Sequence, residues 1–183
     1  MTLLLNEETF GSKAKSINEL TEKLVSIKWY KNAGKKEKAA EQLLSQLLET
    51  LNVSDYTIKW LEKDELSEKL NDISLSGSKL WEKLKDLPDQ FKAKIDESNQ
   101  VDLLEMIVDI VPESIFHHTF EAAFNEFGEE KVVRFLVGQA MYFAVLICVA
   151  ELANESTFLS LFTDLLSTGH VPIGPKGNII YII

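Results

Sequence analysis

Residues 129–154, EEKVVRFLVGQAMYFAVLICVAELAN, form the most apolar stretch of the chain and decide its fold. At 26 residues the stretch is long enough to cross a bilayer. However, Arg134, Gly138 and Gln139 interrupt it, acids stand at both ends, and flanking basic anchors are sparse. A membrane-spanning helix favours an uncharged run with Lys or Arg near its ends. The stretch therefore predicts a central buried helix, about 129–153, with other helices packed around it. Cys148 lies inside the run and reads as a small buried hydrophobe rather than a nucleophile.

Helical spacing continues on both sides. Downstream, Phe158, Leu161, Phe162 and Leu165 make one apolar face between Ser156 and Gly169. Upstream, Pro112 is expected to open a helix that Gly128 closes. In it Phe116, Phe120, Phe124 and Phe127 share one side, which is expected to face the core. Before Pro112 a separate helix is expected over 102–111. There Leu103, Leu104, Ile107, Val108 and Val111 form the apolar face, and Asp102, Glu105 and Asp109 line a solvent stripe.

The first half gives a helix near Ser16–Tyr30, with Ser16 and Glu19 at capping-box spacing, and a second near Lys36–Leu51. The short link between them predicts an antiparallel helical hairpin. Residues 56–61 fit either a strand or a helix start, and 64–70 a helix. Ser78 is placed to cap a helix carrying Leu80, Trp81, Leu84 and Leu87, which Pro88 is expected to stop; Phe91 and Ile95 then face inward.

The tail changes character. Residues 170–183 read as a β-hairpin, with Pro175 at the first central position of a turn over Gly174–Gly177. Thr2–Leu5 is a candidate strand to pair with it. The fold class is thus mainly α, a helical bundle around the central apolar helix with a small C-terminal β-hairpin. The chain reads as a single domain, 1–183, with a candidate subdomain break near 75–78. The start lacks a basic, long apolar leader, and one cysteine permits no internal disulfide, so a cytoplasmic location is the expectation.

Chemistry-bearing motifs are few. Glu121 lies four and three residues after His117 and His118, so either histidine could share a metal with it, and Glu113 is one turn before His117. A metal site needs three or four protein ligands, and neither Glu-x-x-His nor His-Glu-x-x-His occurs. No metal or cofactor is therefore expected, and catalysis is not the leading expectation. Gly-x-Ser-x-Gly and the phosphate-binding Gly-Lys-Ser/Thr ending are also missing. Arg134, the one arginine, is expected to form a buried ion pair with Glu130 or a distant acid; binding an anionic ligand is the alternative.

Charge says more. The chain carries 29 acids against 19 bases, a formal charge of −10. Residues 1–100 hold 18 acids and 16 lysines, whereas 101–183 hold 11 acids and three bases. Asp102, Glu105, Asp109, Glu113, Glu121, Glu126, Glu129 and Glu130 crowd into one interval. Such a surface disfavours nucleic acid as a direct partner, because phosphates need a basic face. It suits a basic protein steered in electrostatically. These eight residues are the candidate partner-binding set.

The acidic helical body and the closing segment Gly169-His170-Val171-Pro172-Ile173-Gly174-Pro175-Lys176-Gly177-Asn178-Ile179-Ile180-Tyr181 resemble small bacterial immunity proteins of contact-dependent growth-inhibition and polymorphic toxin systems. Those proteins share no common fold, so the resemblance transfers no site residue. It implies a mode of action: stoichiometric binding to a cognate basic toxin domain, in many cases a nuclease. Two other expectations stand beside it. One is a metal-dependent or small-molecule enzyme using His117, His118 and Glu121; the other is a helical scaffold or oligomeric adaptor.

Overall fold

A computed structural model describes residues 4–53, 56–74, 79–95 and 100–183. The subdomain break near 75–78, the Ser78 cap, the Leu80 and Trp81 side chains, and Thr2 and Leu3 of the candidate N-terminal strand lie outside the described residues. At the centre stands α7, Glu130–Leu152, an apolar helix of 23 residues. By length and composition it could cross a membrane, and 56% of its most apolar window is buried within the protein. Helices pack against it from several sides: α2 (Ser12–Ser26), α4 (Leu66–Ser74), α5 (Lys79–Ala93), α6 (Val101–Phe127) and α8 (Ser156–Ser167). The expected bundle around a central apolar helix is therefore what forms.

The largest interface joins α6 to α7, which follow one another across a two-residue turn. Gly128 ends α6 in the left-handed region at φ 70°, and its N–H donates to the Phe124 carbonyl at 2.9 Å. That conformation is easy for glycine and costly for a side chain with a Cβ. Contrary to expectation, α6 is one helix of 27 residues, running through Pro112 without a break. Its fully buried positions are Leu103, Ile107, Val111, Ile115, Thr119 and Ala123. They form one i+4 row that passes Pro112 in register, which is why the proline does not end the helix. Pro88 likewise sits inside α5.

Helix α2 begins at Ser12, not Ser16. Ser16 is within the helix, where its hydroxyl donates to the Ser12 carbonyl, so the expected capping box does not form. Nor do α2 and α3 (Lys38–Thr50) make a packed hairpin. Helix α3 lies against α8, and α2 against α6 and α7. The segment between them is an anchored excursion. Tyr30 is fully buried and adopts φ 60°, and its hydroxyl donates to the Leu136 carbonyl of α7 at 2.8 Å. Asn32 Nδ2 donates to the Thr168 carbonyl at 2.8 Å. These bonds turn the chain away from α2 and carry α3 to the far side of the bundle.

The tail forms the expected hairpin, β2 (Pro172–Lys176) antiparallel to β3 (Ile179–Ile182). A third strand, β1 (Thr57–Trp60), pairs parallel to β3, giving the order β1-β3-β2. The 56–61 segment therefore resolves as a strand. Pro175 lies in β2 opposite Ile180, and the turn is Gly177-Asn178 instead. Both Pro172 and Pro175 fall on an edge strand, where a missing N–H is tolerated. Gly174, at φ 139°, faces α4, and a Cβ there would meet Ile73 Cγ2 at 3.1 Å. Leu5 does not pair with the sheet. Its N–H donates to Asn18 Oδ1 at 2.7 Å and its carbonyl accepts from Asn18 Nδ2 at 3.0 Å, so a buried side chain satisfies both backbone groups. Short α1 (Glu7–Phe10) follows, capped by Asn6.

Pro112 cannot donate a backbone hydrogen bond within the continuous α6, and an interior proline costs a helix ~3 kcal/mol relative to alanine. Pro112→Ala is expected to stabilise the protein by about 1 kcal/mol or more, seen as a raised urea midpoint at constant slope. A lowered midpoint would mean that packing against α7 depends on the proline.

Candidate functional site: the exposed face of α6

The buried row of α6 fixes what its opposite side presents. Asp102, Glu105 and Asp109 are exposed, as the solvent-stripe pattern anticipates, and Glu113 is exposed with them because α6 continues through Pro112. Continuing along the same side at helical spacing come Phe116, Phe120 and Phe124. They are 39%, 43% and 55% exposed, which overturns the expectation that the phenylalanine side enters the core. Of the four rings only Phe127 packs inward, edge-on to Tyr30 at 6.1 Å. The physical reason lies in the continuity of α6. Had Pro112 started a new helix, the ring-rich side was free to turn inward. With one helix the phase is inherited from Leu103, Ile107 and Val111, and the residues that follow in the row are Ile115, Thr119 and Ala123. The sequence signal was available: that row crosses Pro112 without a phase shift.

The three exposed rings stack on one another. Phe116 and Phe120 have centroids 5.9 Å apart with planes at 30°, and Phe120 and Phe124 lie 6.2 Å apart at 11°. Val108 and Val101 are also exposed on this helix, each at nearly half its surface. Large exposed aromatics in a contiguous group are characteristic of interaction surfaces rather than of a surface left to solvent. His117 and His118 flank the ladder, and both are exposed. His117 rests edge-on against Phe116 at 5.4 Å. Glu121 is exposed beside them.

The eight candidate acids divide into two groups. Asp102, Glu105, Asp109, Glu113 and Glu121 lie along exposed α6, and none makes an ion pair among the described residues. Glu126, Glu129 and Glu130 gather near the α6–α7 turn and are engaged within the chain. Lys63 pairs with Glu126 at 2.5 Å, the Ser67 hydroxyl donates to Glu129 at 2.7 Å, and Arg134 pairs with Glu130 at 2.6 Å. The expected Arg134–Glu130 pair thus exists, but on the surface, with both side chains more than three-quarters exposed. In that setting it adds little stability.

No family model, curated protein or solved structure matches this chain.

The other groups with reactive chemistry lie away from this face. Among the described residues no three His, Cys, Asp or Glu side chains converge as a metal site. His170 is fully buried, with Nδ1 3.2 Å from the Ile183 carbonyl and its ring 4.9 Å from Trp60, edge to face. Cys148 is fully buried 4.0 Å from the Thr21 hydroxyl. Burial pushes its thiol up to about 12, a rise that Thr21 opposes and Glu151 assists. A thiol held protonated in this way is a poor nucleophile.

Two outcomes follow. Phe120→Ala is expected to change unfolding free energy by less than about 1 kcal/mol, as exposed sites do. A loss of ~3–5 kcal/mol, the range for a buried ring, would place Phe120 in the core instead. For Cys148 the folded state holds its proton to about pH 12, against an ordinary value of 9.0. Between those values the unfolded chain binds fewer protons, so its contribution to stability is intact below pH 9 and declines as pH rises toward 12. Cys148→Ser is expected to flatten this alkaline decline, and a thiol reagent at pH 8 is expected to react only at the rate of unfolding.

Proposed function

We propose that this protein is an immunity-type inhibitor, binding a cognate basic toxin domain, a nuclease, stoichiometrically through the exposed face of α6. The observation that carries the proposal is the order of residues on that face: a row of carboxylates that make no ion pair among the described residues, then a stacked aromatic ladder. The two halves suit two tasks. Asp102, Glu105, Asp109 and Glu113 present a linear run of negative charge along one face, as a nucleic-acid backbone does, and would steer a basic substrate cleft toward the helix. Phe116, Phe120 and Phe124 offer large apolar area of the aromatic kind in which interfaces are enriched. The protein would act where its toxin acts, in the cytoplasm, and contribute no catalytic group.

The aromatic ladder also supports the adaptor reading, in which α6 packs on a second copy. Charge argues against it: a two-fold pairing sets this acidic face against itself, and α6 carries no lysine or arginine to answer. Light scattering discriminates the two, a monomer agreeing with a foreign basic partner and a stable dimer with the adaptor.

The direct test is co-purification with a toxin domain encoded beside the gene, followed by stopped-flow association. E105K/D109K is expected to slow association at least tenfold and to weaken its salt dependence. Phe120→Ala is expected to leave association nearly unchanged and to speed dissociation at least tenfold. If both variants bind as the unaltered protein does, α6 is not the interface.

A further inference from the structure

A second feature lies away from α6. A cavity of about 730 Å³ opens among α3, α4, α5, α7, α8 and the sheet, with no residue of α6 on its lining. That size lies in the range of small-molecule sites, ~300–1,000 Å³. It is far larger than a packing defect, because protein interiors hold few voids bigger than a water molecule.

Contacts around the cavity set the spacing of its walls. Gln139 Nε2 donates to the Ile173 carbonyl at 2.8 Å and so ties α7 to β2. Phe158 packs edge-on against Phe91 of α5 at 4.9 Å and against Phe162 at 5.5 Å, and Phe162 packs against Phe143 of α7 at 4.9 Å. These rings join α5, α7 and α8 into one aromatic wall. Helix α7 is held from behind by α6, and β2 by its pairing with β3.

The lining excludes most ligand classes. Of the 22 described residues on it, four have polar side chains: Lys85, Arg134, Gln139 and Tyr142. Lys85 and Arg134 are exposed to water, and Arg134 is committed to Glu130. The Gln139 amide nitrogen is engaged with Ile173, and its Oε1 has no accessible surface. Tyr142 is 44% exposed. A nucleotide or a sugar needs several convergent polar groups, and the interior does not present them. A charged ligand would lose its water without a partner to replace it. Water is a poor occupant for the same reason: it needs about two to four polar partners, and cavities lacking them stay dry and take up apolar molecules.

We infer that this cavity binds an uncharged, hydrocarbon-like small molecule, held by apolar contact alone. The inference does not rest on the toxin-binding proposal, since the two use different surfaces. The probe is the uncharged fluorophore N-phenyl-1-naphthylamine, set against its sulfonated analogue, 8-anilinonaphthalene-1-sulfonate. One uncharged probe is expected to bind per chain, at least about tenfold tighter than the sulfonate, because nothing in the cavity replaces the water a charge gives up. Primary alcohols are expected to displace it. Their affinity should rise about fourfold per methylene up to a limiting chain length and stay level beyond it, as a bounded cavity requires. Leu48→Phe and Leu84→Trp add volume from α3 and α5 and are expected to shorten that limit with circular dichroism unchanged. Leu84 is only partly buried, so its variant avoids the overpacking that Leu48→Phe risks. Phe120→Ala is expected to leave probe and alcohol binding as they were, which separates the cavity from the aromatic ladder. Sulfonate binding as tight as the uncharged probe, no saturable site, a limit unmoved in folded Leu84→Trp, or loss of binding in Phe120→Ala would each overturn the inference. Association with a toxin domain is expected to survive Leu84→Trp, so the two proposals fail separately.

Discussion

The close packing of α6 on α7 is the constraint from which the rest of the structure follows. Two long helices joined by two residues must lie nearly side by side, and Gly128 reverses the chain in a conformation that other residues adopt at a cost. The contact is a continuous i+4 row on α6 that begins with large residues and ends with Thr119 and Ala123, set against an α7 whose own buried positions include Ala140 and Ala144. Small residues allow backbones to approach, and apolar side chains leave water together. Thr119 avoids a penalty for burial by donating to the Ile115 carbonyl one turn back, at 3.0 Å.

This packing places the most conspicuous residues on the outside. A helix has a limited circumference, and once its i+4 row is committed to the core the opposite side is committed to solvent. Phe116, Phe120 and Phe124 are exposed for that reason, in line with the acids of the preceding turns. Fully burying an exposed ring is worth ~1.5–3 kcal/mol, so a surface that displays three half-exposed ones carries a free-energy cost that covering it would relieve. The face links the packing of the core to the proposed function: the same geometric commitment that stabilises the bundle sets out the face proposed for binding.

The far side of α7 shows the converse. There the helix meets several shorter elements instead of one long partner. Helix α3 lies against α8, after a connecting segment that Tyr30 and Asn32 pin to α7 and to the end of α8. Elements that converge from different directions fill space less completely than two parallel helices. The apolar cavity lies at this convergence, bounded on one side by β2, where Gly174 lets α4 approach closely.

Composition and periodicity determined the helical class, the central position of residues 129–153, the exposed acids at 102, 105 and 109, and the terminal hairpin. Each rests on local pattern: a long apolar run, a 3.6-residue repeat, or alternation broken by glycine. What the tertiary structure decided are matters of phase and partnership. Proline at 112 and 88 reads locally as a boundary, yet packing along a whole helix outweighs one lost hydrogen bond. The aromatic side of 116–124 reads locally as core, yet its orientation is inherited from Leu103 more than ten residues earlier. The choice of β1 as the strand beside β3, and of α8 over α2 as the neighbour of α3, depends on contacts between residues far apart in the chain. A local pattern shows that a face is apolar, but which face is buried is settled only by the helix it must lie against.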